Sequence, residues 1–375
     1  MFPASFNPTD MIPLNKITST LEHLAPLSYQ ESYDNAGLQV GDPGLEVTGV
    51  LITLDVTEEV LAEAEKLGFN LVVSHHPVIF GGLKSITGKS ATERIISSAI
   101  RKEIAIYSAH TNLDAVAGGV NSAMADRLGL IRQQILAPME GSLRKLVVFV
   151  PPEHLDQVRN AIFDAGAGVI GDYDRCSFNL EGKGTFRGSE GTDPFVGTPG
   201  EMHQEPEVRV ETIVPAHLSG RVIKAMIGAH PYEEVAYDLY PLENRHWQAG
   251  MGMVGELEHP MDEEVFMGFV KDRFNAGMIR HSALLGKPVR KVALCGGAGS
   301  FLLGRAIAAK ADVFVTGDFK YHQFFEADGQ LVLMDIGHFE SEQFTRELIY
   351  DLLTKKFPKF AVRLSGTDTN PIKYF

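Results

Sequence analysis

The 375-residue sequence contains only two cysteines, Cys176 and Cys295, far apart in the chain. That excludes a disulfide scaffold and a thiolate metal site, and it fits a reducing compartment. No apolar run approaches the ~18 residues that a membrane span needs. Residues Met1 to Ser5 lack the basic and apolar regions of a secretory leader. The expected location is cytoplasmic, with no membrane partner. Positive charge is scarce as well: 34 Lys and Arg against 48 Asp and Glu give a net charge of -14. Binding to a phosphate backbone needs a Lys/Arg footprint, so nucleic acid is not an expected partner. A hydrophobic content of 44% suits a chain with a large core, and ~150 residues per domain gives two or three domains.

What is present is histidine in unusual places. Ser74-His75-His76 closes the apolar run Leu71-Val72-Val73. Neighbouring strand residues point to opposite faces, so adjacent imidazoles there diverge unless the strand has already ended. Two later segments, His110-Thr111-Asn112-Leu113-Asp114 and His338-Phe339-Glu340-Ser341-Glu342, also follow apolar runs. Each sets a His four residues before a carboxylate, on one side of a helical turn. A lone buried His is usually a hydrogen-bonded core residue. Four imidazoles and two carboxylates after strands form the ligand set of a two-metal site: His75, His76, His110, Asp114, His338 and Glu342. These donors suit divalent Zn, Fe, Mn or Co. Glu342 or Asp114 can bridge two ions ~3.5–4 Å apart, and such pairs activate water and clamp a substrate. His110 is the member most open to a supporting role, orienting another ligand.

Alternation of strands and helices predicts an α/β fold with parallel βαβ units. The spacing predicts helices over 14–24, 60–67 and 91–101, with Thr57 as an N-cap. Strands are expected over 47–54, 70–73 and 104–108. A second series has strands over 291–294, 312–316 and 331–335 and a helix over 301–309. Residues 69–75 align with 311–317, and 110–114 with 338–342. This reads as duplicated α/β halves whose ligand-bearing strand ends meet, and ligands collect at such carboxyl ends. Between the halves, strands over 144–150, 208–214 and 236–240 accompany helices over 154–165 and 218–227. A loop is expected to open at Gly182-Lys183-Gly184-Thr185-Phe186. The order reads as a ferredoxin-like α+β insert. The expected domains are 1–141, 142–244 and 245–375.

Asp318, Lys320, Tyr321 and His322 follow the strand matched to that of His75. Asp318, Tyr321 and His322 are candidate catalytic residues that orient substrate or move protons. The alternative is a helix start capped by Asp318. Gly296-Gly297-Ala298-Gly299-Ser300 reads as a tight loop, which either reverses the chain or offers helix amides to a phosphate. Asn35 sits in a turn and is a candidate cavity residue. His230-Pro231-Tyr232-Glu233-Glu234 reads as capping and packing within the insert.

Five motifs together resemble the Nif-three-like family of dinuclear-metal-centre proteins, also described as type-two homologues of GTP cyclohydrolase I. They are residues 34–41, Asp34-Asn35-Ala36-Gly37-Leu38-Gln39-Val40-Gly41; Ser74-His75-His76-Pro77; His110 to Asp114; Gly317-Asp318-Phe319-Lys320-Tyr321-His322; and Gly337 to Glu342. The insert resembles the PII/CutA-like domain of longer members through His230 to Glu234 and Tyr237-Asp238-Leu239-Tyr240-Pro241. The resemblance implies metal ligands at His75, His76, Asp114, His338 and Glu342. It also implies a toroidal homohexamer, a dimer of trimers with its metal sites facing an internal cavity.

The expected function is a di-metal hydrolase acting on a nucleotide-like small molecule. The resemblance narrows this to opening the imidazole ring of GTP. A phosphoesterase is the enzyme alternative, and a non-catalytic regulatory or interaction ring is the competing class. A shared fold carries unrelated activities.

Overall fold

The computed structural model describes residues 11–374, and Met1 to Ser5 lie outside the described residues. The chain divides into two compact units, Met1–Ala137 with Ala249–Phe375, and Pro138–Gln248.

The first unit begins with β1 (Ile12–Pro13) and α1 (Leu14–Leu24), which buries Leu14, Ile17 and Leu21 as one stripe. Then come β2 (Gly37–Val40), β3 (Glu46–Val47) and β4 (Val50–Thr53). α2 (Glu58–Leu67) starts where the Thr57 hydroxyl accepts from the Val60 N–H at 3.3 Å. It ends at Gly68, whose left-handed φ of 71° suits a residue without a Cβ. β5 (Leu71–Ser74), α3 (Ala91–Arg101), β6 (Ala105–Ser108), the single turn α4 (Thr111–Asp114), α5 (Val120–Arg127) and β7 (Ile131–Met139) follow.

The second unit contains β8 (Leu143–Val150), α6 (Leu155–Asp164), β9 (Phe178–Phe186), β10 (His203–Pro215), α7 (Ser219–Ala229) and β11 (Tyr237–Leu242). Its four strands form one sheet in the order β11-β8-β10-β9, every pair antiparallel. Leu146, Val148 and Val150 pack with Val158 and Ile162 of α6 and Val222 and Met226 of α7 in a core of their own. The segment expected to open a loop, Gly182 to Phe186, lies inside β9, opposite Glu207 to His203. Pairing with β10 satisfies its backbone, and on an exposed edge glycine loses little packing.

The chain returns to the first unit with β12 (His246–Met261), α8 (Glu263–Arg273), β13 (Arg280–His281) and β14 (Val289–Ala298). α9 (Leu303–Ala308), β15 (Val313–Gly317), β16 (Val332–Asp335), α10 (His338–Glu342), α11 (Thr345–Lys356) and β17 (Val362–Leu364) complete it. Beside the two-stranded β1-β3 pair, two larger sheets result, ordered β17-β4-β5-β6-β2 and β13-β16-β15-β14-β12-β7. Within them β17, β4, β5 and β6 run parallel, as do β14, β15 and β16. An antiparallel strand flanks each parallel set, β2 on β6 and β13 on β16. The sheets do not divide the chain into an early and a late half. β7 joins the sheet made of later strands, and β17 returns to the first.

The parallel strands are apolar on both faces because both are covered. Val292, Leu294, Val313, Val315 and Met334 pack on Phe266, Val270 and Phe274, while Ala293, Phe314 and Leu333 pack on Leu302, Leu303 and Ala306. β14 runs on through the expected tight loop to Ala298, with a register shift after Leu294. No helix among the described residues is long and apolar enough to cross a membrane.

Candidate metal centre

β5 ends at Ser74, and the chain then follows the end of β4, with the His75 N–H donating to Thr53 O and the His76 N–H to Leu54 O. Released from strand alternation, both imidazoles turn to the same side, with ring centroids 5.0 Å apart. His110 enters from the end of β6 and lies 5.4 Å from His75 and 5.6 Å from His76, ring to ring. His338 and Glu342 come from the one-turn helix α10 after β16, four residues apart on one side. Asp114 closes α4. All six predicted ligands therefore converge at the carboxyl ends of β5, β6 and β16, as strand-end geometry favours.

Three groups of donor atoms gather: His75, His76 and His110; His76, His338 and Glu342; His75, Asp114 and Glu342. His76 Nε2 lies 2.9 Å and His338 Nε2 3.1 Å from Glu342 Oε2, and the two nitrogens are 3.2 Å apart. The other oxygen, Glu342 Oε1, is 3.6 Å from His75 Nε2, which is 3.7 Å from Asp114 Oδ1. One carboxylate thus faces two triads.

Every imidazole is tied at its other nitrogen. His75 Nδ1 meets Ala109 O, His76 Nδ1 meets Asp55 Oδ1, His110 Nδ1 meets Asp34 Oδ1, and His338 Nδ1 meets Asp318 Oδ2, each at 2.7 Å. A carbonyl only accepts, so His75 Nδ1 carries the hydrogen and Nε2 presents a lone pair inward. Holding Nδ1 by a carboxylate or carbonyl is how proteins orient metal-binding imidazoles. Two buried atoms aimed into the cluster, His75 Nε2 and Asp114 Oδ1, have no hydrogen-bond partner among the described residues. Such orphans cost about 1–3 kcal/mol each, and a cation at their meeting point would satisfy both. The donors fit a metal, and the buried cluster is able to hold metal ions.

The charged groups of the cluster couple strongly to one another. Burial acts to lower His76, but Asp55 and Glu342 outweigh it and push its pKa up to about 9. His338 behaves likewise, raised to about 11 by Asp318 and Glu342 against burial. Burial, opposed by the neighbouring His75 imidazole and reinforced by the charge of Glu342, lifts Asp114 to about 7. Glu342 is itself buried, yet the imidazoles of His75, His338 and His76 around it hold it well below the usual carboxylate range. Burial raises Asp34 too, but its bonds with His110 and Thr111 win and lower it to about 2.

The glycine-rich stretch after Cys295 shapes the site. Gly297 has φ 60°, and a Cβ there would overlap Glu342 Oε1. Its N–H donates to Ser341 Oγ, and the Gly296 and Gly299 N–H groups donate to Asn121 Oδ1 and Thr316 Oγ1. These three amides are taken by side chains of the fold and are not offered to a phosphate. Asp318 caps no helix: its carboxylate holds His338. Tyr321 and His322 are exposed on the 3-10 segment Tyr321–Ala327, ring against ring at 5.2 Å, and neither joins the three donor groups. Asn35 donates to Ile79 O at 2.6 Å and tethers the chain after His76. His230 packs within its own unit, Nε2 on Phe149 O at 2.9 Å. Asp55, just after the Val50–Thr53 strand, is a functional residue that the sequence reading did not single out.

The comparisons with known proteins follow the same lines. A family model described as Duf34/NIF3 (NGG1p interacting factor 3) matches residues 12–371. The chain belongs to the DUF34/NIF3 family. Among the family's members, a protein of Halalkalibacterium halodurans named GTP cyclohydrolase 1 type 2 homolog is 43% identical over 364 residues, covering 96% of this chain and 98% of that one. The protein of the same name from Bacillus subtilis is 40% identical over 365 residues, with coverage of 96% and 98%. A solved Bacillus cereus protein related to NIF3 superposes with a TM-score of 0.85 at 40% identity, covering 99% of this chain and 100% of that one.

Proposed function

We propose that this DUF34/NIF3 chain is a dinuclear metal protein that acts in the cytoplasm as a metal-dependent hydrolase on a nucleotide-like substrate. The observation that carries the reading is a set of four Nδ1-anchored imidazoles, three of which (His75, His76 and His338) bring Nε2 close to Asp114 or to the oxygens of Glu342. One position is bounded by His76, His338 and Glu342, the other by His75, Asp114 and Glu342, with His110 beside His75 and His76. Imidazole and carboxylate admit Zn, Fe, Mn or Co. Bound there, divalent ions would supply Lewis-acid activation of water and substrate.

The chain's own part is orientation and recognition. Asp318, Asp55 and Asp34 hold imidazoles, which makes Asp318 a positioning residue in this reading. Tyr33 and Phe80 are 61% and 54% exposed, 6.3 Å apart, with Phe80 6.1 Å from His110. An aromatic edge beside the cluster suits stacking by a planar base, which supports a nucleotide-like substrate. Tyr321 and His322 are then rim residues that orient substrate or move protons. The relatives' name favours ring opening of GTP, with a phosphoesterase as the enzyme alternative.

The strand order β11-β8-β10-β9 with two helices supports reading the segment 142–244 as a ferredoxin-like, PII/CutA-like insert between duplicated halves, 1–141 and 245–375. A homohexamer, a dimer of trimers, completes the proposal. The insert's separate core favours one competing reading, a non-catalytic regulatory or interaction ring.

Metal analysis of purified protein and a nucleotide screen for released formate or phosphate test the proposal. Two ions per chain and turnover that His338→Ala abolishes are expected. Equal turnover by His338→Ala and wild type would remove the hydrolase reading; bound metal with no turnover would favour the regulatory ring.

A further inference from the structure

After β17 the chain runs without regular structure from Ser365 to Tyr374, and its side chains bond Asp55 and Glu340 beside the cluster. It is first pinned to α2: Ser365 Oγ and Thr367 Oγ1 donate to Glu63 Oε2 at 2.6 and 3.0 Å, and the Gly366 N–H donates to Oε1 at 2.9 Å. Thr369 Oγ1 then donates to Asp55 Oδ2 at 2.9 Å, while Asp55 Oδ1 holds His76 Nδ1. Next, Asn370 Nδ2 donates to Glu340 Oε1 at 3.2 Å, and Tyr374 Oη lies 3.5 Å from the same oxygen. Glu340 is buried in α10, between His338 and Glu342. The Asp368–Lys373 ion pair at 2.7 Å and the Asn370 side chain, which accepts from the Ile372 N–H, brace the strap internally.

We infer that this C-terminal strap tunes one of the two cation positions, with Thr369 as its positioning residue. The inference rests on the metal reading above. A carboxylate that holds an imidazole must itself be held, and Thr369 is the donor on the free oxygen of Asp55. Without it Asp55 can rotate, and His76 loses the constraint that keeps Nε2 inward. His75 is oriented by a backbone carbonyl, which the strap does not touch. The position bounded by His76, His338 and Glu342 therefore depends on Thr369, and the position bounded by His75, Asp114 and Glu342 does not. Asn370 acts on the same side by seating Glu340 and the turn that carries His338.

Zinc titration of full-length protein against a chromophoric chelator, paired with Co²⁺ absorption spectra, tests this. Loss of an outer-sphere partner lowers metal affinity ~10–100-fold. Thr369→Val should weaken one of two sites by about the lower figure and leave the other unchanged, and Thr369→Ser should restore wild-type behaviour. Two wild-type affinities in Thr369→Val would overturn the strap's role alone. Equal weakening of both sites with a lowered melting temperature would also overturn it, as general loosening. A wild-type chain that takes up no zinc would overturn the metal reading and this inference together.

Discussion

At the residue scale, Glu342 carries the greatest share of the site. Its two oxygens face separate triads, so Glu342→Gln should leave at most one ion per chain, against two in wild type, by elemental analysis. The bare protein should also respond to pH with a definite sign. His76 and His338 have pKa values raised to about 9 and about 11, above the ~6.5 of an unfolded imidazole. Their contribution is complete below pH ~6.5 and is lost as pH rises through those values. Asp114, raised to about 7 from ~3.9 unfolded, loses stability in the same direction. The melting temperature of chelator-treated protein should therefore fall between pH 6 and pH 10, while zinc affinity rises because the imidazoles must shed protons. A flat or rising melting curve would contradict these assignments. The ligands were legible as sequence because strand-end His and His-x-x-x-acid spacing are local patterns. Asp34 and Asp55 were not assigned, since a carboxylate that holds an imidazole becomes visible only when chain segments 21 and 76 residues apart are brought together.

At the element scale, the close approach of β14 to α10 makes its own demand. Gly297→Ala would place a methyl against Glu342 in a left-handed backbone and should cost about 1–3 kcal/mol, read by chemical denaturation, with weakened zinc binding. Elements with strong local signals were readable: α1 by its apolar stripe, α2 by Thr57, and β5 by its continuous apolar run. Others were set by partners far away. β9 is a strand despite its glycines because β10 lies beside it. β17 has only three residues and is a strand because β4 accepts it. The stretch 296–298 continues β14 where glycine spacing alone reads as a reversal.

At the scale of the whole molecule, every residue of the cluster lies outside Pro138–Gln248, and that unit has its own core. The isolated segment 138–248 should melt cooperatively by circular dichroism, and its excision should leave ion content unchanged while altering any ligand or partner binding. Metal loss on excision would show that the unit supports the centre. The pairing of β17 with β4 has a further consequence, for timing during synthesis. β4 stays at the edge of its sheet until Val362–Leu364 have been made, and the segment that steadies Asp55 comes later still, when all six donors are already present. A polypeptide cut between α11 and β17 would keep all six donors but lose the Thr369 tie on Asp55, and should hold an ion less tightly at the position bounded by His76, His338 and Glu342.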